Sequence, residues 1–426
     1  MSKKDKLNTE PYKGVRDFYP EDMFDLKYIF GKMREVAESF GYREYGASPL
    51  EYYEIYNAKS GEEIAKQQTY AFEDKGGRKV ALRPEMTPTV SRMVAKRSRE
   101  LTFPLRWYSI VNLFRYEKPQ KGRLREHFQL NMDLFGGIEK EANREMIHIV
   151  HSLMNSFGAK NEDFIIKVNY KEITDKIFEK IGIPEDAKKS LSKLLDKKDK
   201  MTSRDLSSSM IDKVGEEKSK KLLEVMSKPQ KIIEFLGKDD PSVIELISEI
   251  EYFSSMEMKN VFFEPTLVRG FDYYTGFVFE VFDTNKENQR SIFGGGRYDA
   301  LISLFGDREI PAVGFGMGDV TFSEFLKRRE LLPEYDSETE LYICRADRYP
   351  FEKSEQIAGD FRKKGINTEV DISGKKLGEQ IKKAVKKKIP FALILEDDEN
   401  LYTLKDLRGE KERKLSLDEC LKVIKE

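Results

Sequence analysis

The chain has 426 residues, long enough for two or three domains and a substantial core. Its 75 Lys and Arg balance 76 Asp and Glu, so overall charge does not announce a nucleic-acid binder, and any such surface must come from local clustering. Two distant cysteines, Cys344 and Cys420, exclude a disulfide framework or zinc module and point to a reducing, cytoplasmic setting; no apolar run approaches the ~20 residues of a membrane span, and the start MSKKDKLNTEPYKG lacks a secretory signal's apolar stretch.

Residues 1–12 read as a polar tail. The turn-rich run Lys13-Gly14-Val15-Arg16-Asp17-Phe18-Tyr19-Pro20 leads into a helix predicted over 21–40. Its apolar residues Leu26, Ile29, Phe30, Met33, Val36 and Phe40 recur at helical spacing, and Gly41 stops it. A strand is predicted over 42–50, ending in Ser48-Pro49. Segments 69–73 and 79–82 read as a hairpin around Lys75-Gly76-Gly77. Leu82-Arg83-Pro84-Glu85-Met86-Thr87-Pro88-Thr89 reads as a helix start, with Glu85 favoured by the dipole and Thr87 as cap. A carboxylate placed there can also face a pocket.

The stretch 107–137, WYSIVNLFRYEKPQKGRLREHFQLNMDLFGG, reads as strand, basic loop, strand. Over 128–135 the alternation is strict: Phe128, Leu130, Met132 and Leu134 point one way, Gln129, Asn131 and Asp133 the other. Burying three polar residues on one face is costly unless that face lines a wet pocket. Between the strands lie Arg115, Lys118, Lys121, Arg123 and Arg125, with Gly122 as a pivot. This suits a solvated hairpin loop, or a sheet floor for a small polar ligand edged by guanidinium groups for phosphate.

A helix is predicted over 139–157. His148 and His151 sit on it at i,i+3 with no third ligand nearby, so they belong to surface or core rather than to a metal. After a strand over 164–168 the chain turns Lys- and Ser-rich, with amphipathic helices predicted over 173–181, 184–195, 203–214, 219–226 and 243–253. A second unusual run is Leu267-Val268-Arg269-Gly270-Phe271-Asp272-Tyr273-Tyr274-Thr275-Gly276. A strand over 278–282 follows, then Gly294-Gly295-Gly296-Arg297-Tyr298-Asp299, where glycines allow close backbone approach. The strand predicted over 312–318 carries glycines at alternate positions and enters a helix over 319–329. Beyond a linker at 331–337 an α/β pattern begins: strands over 341–345, 368–371, 391–395 and 401–406, helices over 351–364, 376–387 and 416–424. Lys375, Lys376, Lys382, Lys383, Lys386, Lys387 and Lys388 concentrate charge there, as a solvated helix face or an RNA contact.

The run FRYEKPQKGRLREHFQL resembles motif 2 of the class II aminoacyl-tRNA synthetases, in its histidine-specific form. L-R-P-E-x-T and R-G-x-D-Y-Y resemble the histidine-specific segments of that family, and the C-terminal pattern resembles its anticodon-binding domain. The resemblance covers about 13–425. It implies an α+β catalytic domain built on an antiparallel sheet (1–169 and 256–330), a helical insertion (170–255), the linker, and an α/β mixed-sheet domain (338–426). The helix and strand near the N-terminus resemble motif 1, which implies a homodimer. The implied reaction activates L-histidine with ATP and Mg²⁺ to histidyl-adenylate, then transfers it to the 3′ end of tRNA(His).

Carried over by resemblance, Arg269 and Arg115 take the α-phosphate and substrate carboxylate. Glu85, with Met86 and Thr87, takes the ammonium; Gln129, Asp133, Tyr273 and Tyr274 complete the histidine pocket. Arg115, Glu117, Arg123, His127 and Gly316 face ATP, and Gln120, Lys121 and Arg125 face the tRNA acceptor end. Three positions depart from the family's pattern. Thr321 stands where the motif 3 helix has an arginine that braces ATP; either a loop arginine such as Arg123 or Arg308 compensates, or ATP binds differently. His127 stands in place of an aromatic residue, and Asp133 where some members have Glu. The first departure keeps a second reading in view, a non-catalytic paralogue acting as a histidine-sensing regulatory subunit, although such paralogues typically lack the anticodon domain.

Overall fold

Outside residues 1–6, 58–66, 121, 197, 199–200, 268–272, 286–289, 397–400 and 426, the computed structural model describes the whole chain. The expected first helix runs Pro20–Ser39 (α1), with Pro20 opening it and Glu21 and Asp22 in its first turn. The single strand expected over 42–50 is instead two, Arg43–Glu44 (β1) and Leu50–Tyr52 (β2). They belong to different sheets, and Gly46 and Pro49 between them interrupt the backbone ladder. A short helix, Tyr53–Asn57 (α2), follows. The expected hairpin forms from Ala71–Glu73 (β3) and Lys79–Leu82 (β4), its turn held by Asp74 Oδ1, which accepts from the Gly76 and Arg78 N–H groups. The next helix is Thr87–Arg97 (α3). Thr87 is its first residue and not its cap; Met86 holds the cap position without a side-chain bond.

Leu105–Phe114 (β5) and Glu126–Phe135 (β6) pair antiparallel along their whole length, from Leu105 opposite Phe135 to Phe114 opposite Glu126. Then come Glu139–Ser156 (α4) and Phe164–Tyr170 (β7). The helical region holds Lys171–Ile181 (α5), Glu185–Asp196 (α6), Ser203–Val214 (α7), Glu216–Val225 (α8), Pro229–Leu236 (α9) and Pro241–Ser255 (α10). Of these α9 was not expected; KIIEFL is too short to separate helix from strand by periodicity. The sheet resumes with Val261–Phe263 (β8), Phe277–Asp283 (β9), Ser291–Arg297 (β10) and Ala312–Gly318 (β11), followed by Asp319–Arg328 (α11).

These strands form an eight-stranded sheet in the order β1-β5-β6-β11-β10-β9-β7-β8, antiparallel except where β1 meets β5 and β8 meets β7. One face is dry. Leu130, Met132 and Leu134 of β6 meet Ile29 and Met33 of α1, Ile147, Val150 and Met154 of α4, and Phe322 and Phe325 of α11. Each such aliphatic side chain, fully buried, contributes roughly 1.5–3 kcal/mol. Helices α5–α10 share a second cluster, including Ile177, Phe178, Leu191, Met210 and Ile232.

The chain divides into two compact units, Met1–Leu332 and Pro333–Glu426. The second contains Leu341–Arg345 (β12), Phe351–Lys363 (α12), Thr368–Val370 (β13), Leu377–Lys386 (α13), Phe391–Leu395 (β14), Tyr402–Asp406 (β15), Lys411–Leu415 (β16) and Leu417–Lys425 (α14). Its sheet runs β13-β12-β14-β15-β16, parallel at first and then antiparallel. Strand β16, KERKL, was not expected, because its charges look like loop. Charged side chains suit an exposed edge strand.

Candidate functional site

The site lies on the wet face of the sheet. With the apolar side of β6 committed to the helices, Gln129 and Asn131 project the other way into a cleft. Register sets their neighbours: Gly318 lies opposite Gln129, Gly316 opposite Asn131 and Gly314 opposite Asp133. These glycines are required by close approach. A Cβ on Gly316 would stand 2.8 Å from the Gln129 side-chain amide, and one on Gly314 would stand 2.3 Å from the Met132 carbonyl oxygen. At these two positions, at least, the alternate-glycine pattern serves side-chain and strand packing as well as openness to a ligand.

The start of α3 and the segment before β9 supply the acidic corner. Glu85 is buried and accepts a hydrogen bond from the Tyr273 hydroxyl at 2.8 Å. Burial, then the Glu85 charge, pushes the Tyr273 phenol well above its ordinary pKa, so it stays a donor. Thr87 and Tyr274 line the same cleft, with the Tyr273 and Tyr274 rings 4.9 Å apart. Arg115, just past β5, also lines it, and its Nε donates to the Pro84 carbonyl at 2.9 Å, which fixes the guanidinium beside Glu85. Tyr298 closes the floor and its hydroxyl donates to Asp133 Oδ1. Burial raises the Asp133 carboxyl from 3.8 to about 7, and its Oδ2 has no hydrogen-bond partner among the described residues.

One layer further along β6, His127 sits beside Gly318. Burial first, then the Arg115 and Arg16 charges, lowers its pKa to about 3, so its ring is neutral. Asp319, the first residue of α11, is buried and accepts from the Phe128 N–H at 2.8 Å and from Arg16 Nη2 at 2.7 Å. That cluster ties the N-terminal turn, β6 and α11 together at the cleft's edge.

The structure thus brings Glu85, Thr87, Arg115, Gln129, Tyr273, Tyr274 and Gly316 into one cleft. Met86 is fully buried and Asp133 lies beneath Tyr298, so neither is among the cleft-lining residues. Arg123 and Glu117 pair at 3.3 Å in the loop, and Gln120 and Arg123 close a tight turn around Gly122. Arg125 donates to the Glu117 carbonyl and the Tyr12 hydroxyl and lies over the Tyr116 ring, so it braces the loop. Arg269 and Lys121 fall outside the described residues.

Arg308 donates to the Ser98 carbonyl. It precedes the Ala312 end of β11, whereas Thr321 follows the Gly318 end, and a strand of seven residues separates these ends by roughly 20 Å. Asn131, Tyr298, Gly294, Gly314 and Phe315 also line the cleft; they lie in segments the sequence marked for a pocket or for close backbone approach, but were given no individual role. Asn131 was legible as the middle of the polar alternation, and Tyr298 as the aromatic after the triple glycine.

His148 bonds the Tyr252 hydroxyl and His151 the Asn161 amide, and no cluster of three metal-ligating side chains occurs among the described residues. In the second unit Lys383 of α13 and Lys387 just past it pair with Asp371 and Glu369 respectively, while Lys376, Lys382 and Lys386 are exposed. No described helix is long and apolar enough to cross a membrane.

The cleft can hold a small zwitterion: an ammonium at Glu85, a carboxylate or phosphate at Arg115, and a polar side chain toward Tyr298 and Gln129. The family described as histidyl-tRNA synthetase matches residues 14–319, and an anticodon-binding domain matches 344–426. A histidine–tRNA ligase of Leptospira biflexa is 41% identical over 432 residues, covering 100% of this chain and 99% of that protein. A chloroplastic/mitochondrial histidine–tRNA ligase of Arabidopsis thaliana is 35% identical over 387 residues, covering 89% and 79%. In fold, the crystal structure of histidyl-tRNA synthetase from Nostoc sp. superposes with a TM-score of 0.82 at 22% identity, covering 99% of each chain.

Proposed function

The chain belongs to the histidyl-tRNA synthetase family, and we propose that it activates L-histidine with ATP and transfers the histidyl group to tRNA(His). One observation carries the reading: the buried Glu85–Tyr273 pair and the buried Asp133–Tyr298 pair flank one cleft, beside Arg115. Glu85 takes the substrate ammonium. The imidazole lies toward Tyr298, Tyr274 and Gln129, where its ring nitrogens meet polar partners. A site built around hydrogen bonds rejects analogues that lack them.

In the first step the histidine carboxylate attacks the α-phosphorus of ATP in line. An O–P bond forms, the α–β bridging bond breaks, and pyrophosphate leaves. Catalysis is mainly positioning and charge stabilisation, the part of Arg115 and Arg269. His127, neutral and beside Gly318, offers its ring to the adenine side. In the second step the terminal ribose hydroxyl of tRNA attacks the histidyl carbonyl and AMP leaves; Gln120, Lys121 and Arg125 belong to the loop on that side. Mg²⁺ neutralises the phosphates when ATP is bound.

The homodimer is supported by exposed apolar side chains on the three-stranded sheet that β2, β4 and β3 form, Leu50, Tyr52 and Phe72. Two buried free thiols, Cys344 and Cys420, suit the cytoplasm. The test is ATP–pyrophosphate exchange with each of the twenty amino acids. Exchange with histidine alone is expected. Histidine binding without exchange would favour the regulatory paralogue.

A further inference from the structure

Thr321 in the first turn of α11 cannot supply charge to a nucleotide, yet its surroundings contain one. The Thr321 hydroxyl donates to the Ile292 carbonyl at 2.7 Å. Ile292 lies where the register of β10 against β9 shifts, between Ser291 and Phe293, and Ser291 Oγ donates across that irregularity to the Phe293 carbonyl at 2.9 Å. Bulges of this kind redirect the side chains beside them. Arg290 immediately precedes this irregularity, next to the first residue of β10. A Cβ built on Gly122, at the tip of the basic loop, would stand 3.5 Å from Thr321 Cγ2 and 3.7 Å from Arg290 Nη1. Three chain segments therefore meet at one point: the β5–β6 loop, the start of α11 and the residue just before β10. Gly122 has a φ of +75°, a backbone conformation that any other side chain would strain.

Resting on the reading of the cleft as an ATP site, we propose that Arg290 is the phosphate-binding cation of this chain, taking the triphosphate of ATP from the β10 side. Thr321 acts with it as a positioning residue, holding the bulge that aims Arg290. A guanidinium suits this role because its planar fork bonds two phosphate oxygens at once. Arg308, by contrast, is at the far end of β11.

The experiment compares wild type, Arg290→Ala, Arg290→Lys and the double variant Arg290→Ala/Thr321→Arg in ATP–pyrophosphate exchange, with thermal melts as the folding control. Arg290→Ala is expected to raise the KM for ATP about tenfold, leaving the KM for histidine within about twofold, as loss of one charge-assisted contact to the nucleotide alone requires. Arg290→Lys falls between. Partial recovery of the ATP KM in the double variant supports the proposal strongly, since it moves the cation back to the helix. An unchanged ATP KM in Arg290→Ala overturns it, as does an equal rise in both KM values. Calorimetric binding of ATP without histidine separates this proposal from the one beneath it. Wild type that binds ATP but shows no histidine-dependent exchange overturns the activation reading, while a Kd for ATP about tenfold weaker in Arg290→Ala still supports the role of Arg290.

Discussion

Replacing Asp133 with Asn should make this protein more stable at pH 8 and should not do so at pH 5. The carboxyl is 2% exposed, accepts from the Tyr298 hydroxyl through Oδ1, and its pKa is raised by burial from 3.8 to about 7. In the unfolded chain it releases its proton near 3.8; in the folded chain it holds it to about 7. Between those values the native state binds more protons, so stability is full below the lower pKa and is lost as pH rises through the upper one. Three pKa units at about 1.4 kcal/mol each amount to about 4 kcal/mol carried as a penalty above pH 7. Asn keeps an acceptor for Tyr298 and removes the charge, but its buried amide needs donors satisfied, which costs about 1–3 kcal/mol. The net expectation is a gain of roughly 1–3 kcal/mol at pH 8; at pH 5, just over one unit above the unfolded pKa of 3.8, only about 1.6 kcal/mol of the penalty has accrued, so it roughly cancels the amide's cost. Denaturant titrations at the two pH values, followed by fluorescence of Trp107, provide the assay. It is the one tryptophan of the chain and sits directly opposite Asp133 on β5. A substitution effect of the same sign and size at both pH values would refute the electrostatic reasoning.

Tyr273→Phe removes the hydroxyl that donates to Glu85; the KM for histidine should rise about tenfold with that for ATP unmoved, as read by exchange kinetics. Gly314→Ala and Gly316→Ala should separate cleanly. The first drives a methyl into the Met132 backbone carbonyl and should cost about 3 kcal/mol of stability, whereas the second meets the movable end of Gln129 and should leave melting largely intact while weakening histidine binding. Lys382→Ala/Lys386→Ala, on the exposed side of α13, should raise the KM for tRNA in aminoacylation and flatten its salt dependence, with exchange unchanged.

Where the sequence carried a strict period, the structure agrees with it. The alternation in β6, the glycines of β11 and the heptad-like spacing of α1 reflect a face committed to a core, and that commitment is local enough to read residue by residue. What could not be read were elements without a face of their own. β1 and β2 are too short to show a period and go to two different sheets, and β16 is an edge strand exposed nearly throughout. The cleft was legible to the extent that β6 and the start of α3 build it. Tyr298 and Asn131 were harder to assign, because the reason they matter is register: Gly314 and Gly316 of the neighbouring strand are bare opposite Asp133 and Asn131.

The same distinction bears on the altered helix start at Thr321. A motif read along the chain registers a missing arginine there as a lost function. In the folded chain the relevant distance is across the sheet, where Thr321 bonds a carbonyl 29 positions earlier and has the Arg290 guanidinium beside it. A phosphate responds to the position and orientation of a cation, not to the strand or helix that delivers it. A site can therefore exchange the element that carries its charge, provided the new carrier is held as firmly as the old. The hydrogen bond from Thr321 to the β10 bulge is such a restraint, so removing that hydroxyl with Thr321→Val should weaken ATP binding in the same direction as Arg290→Ala, though less.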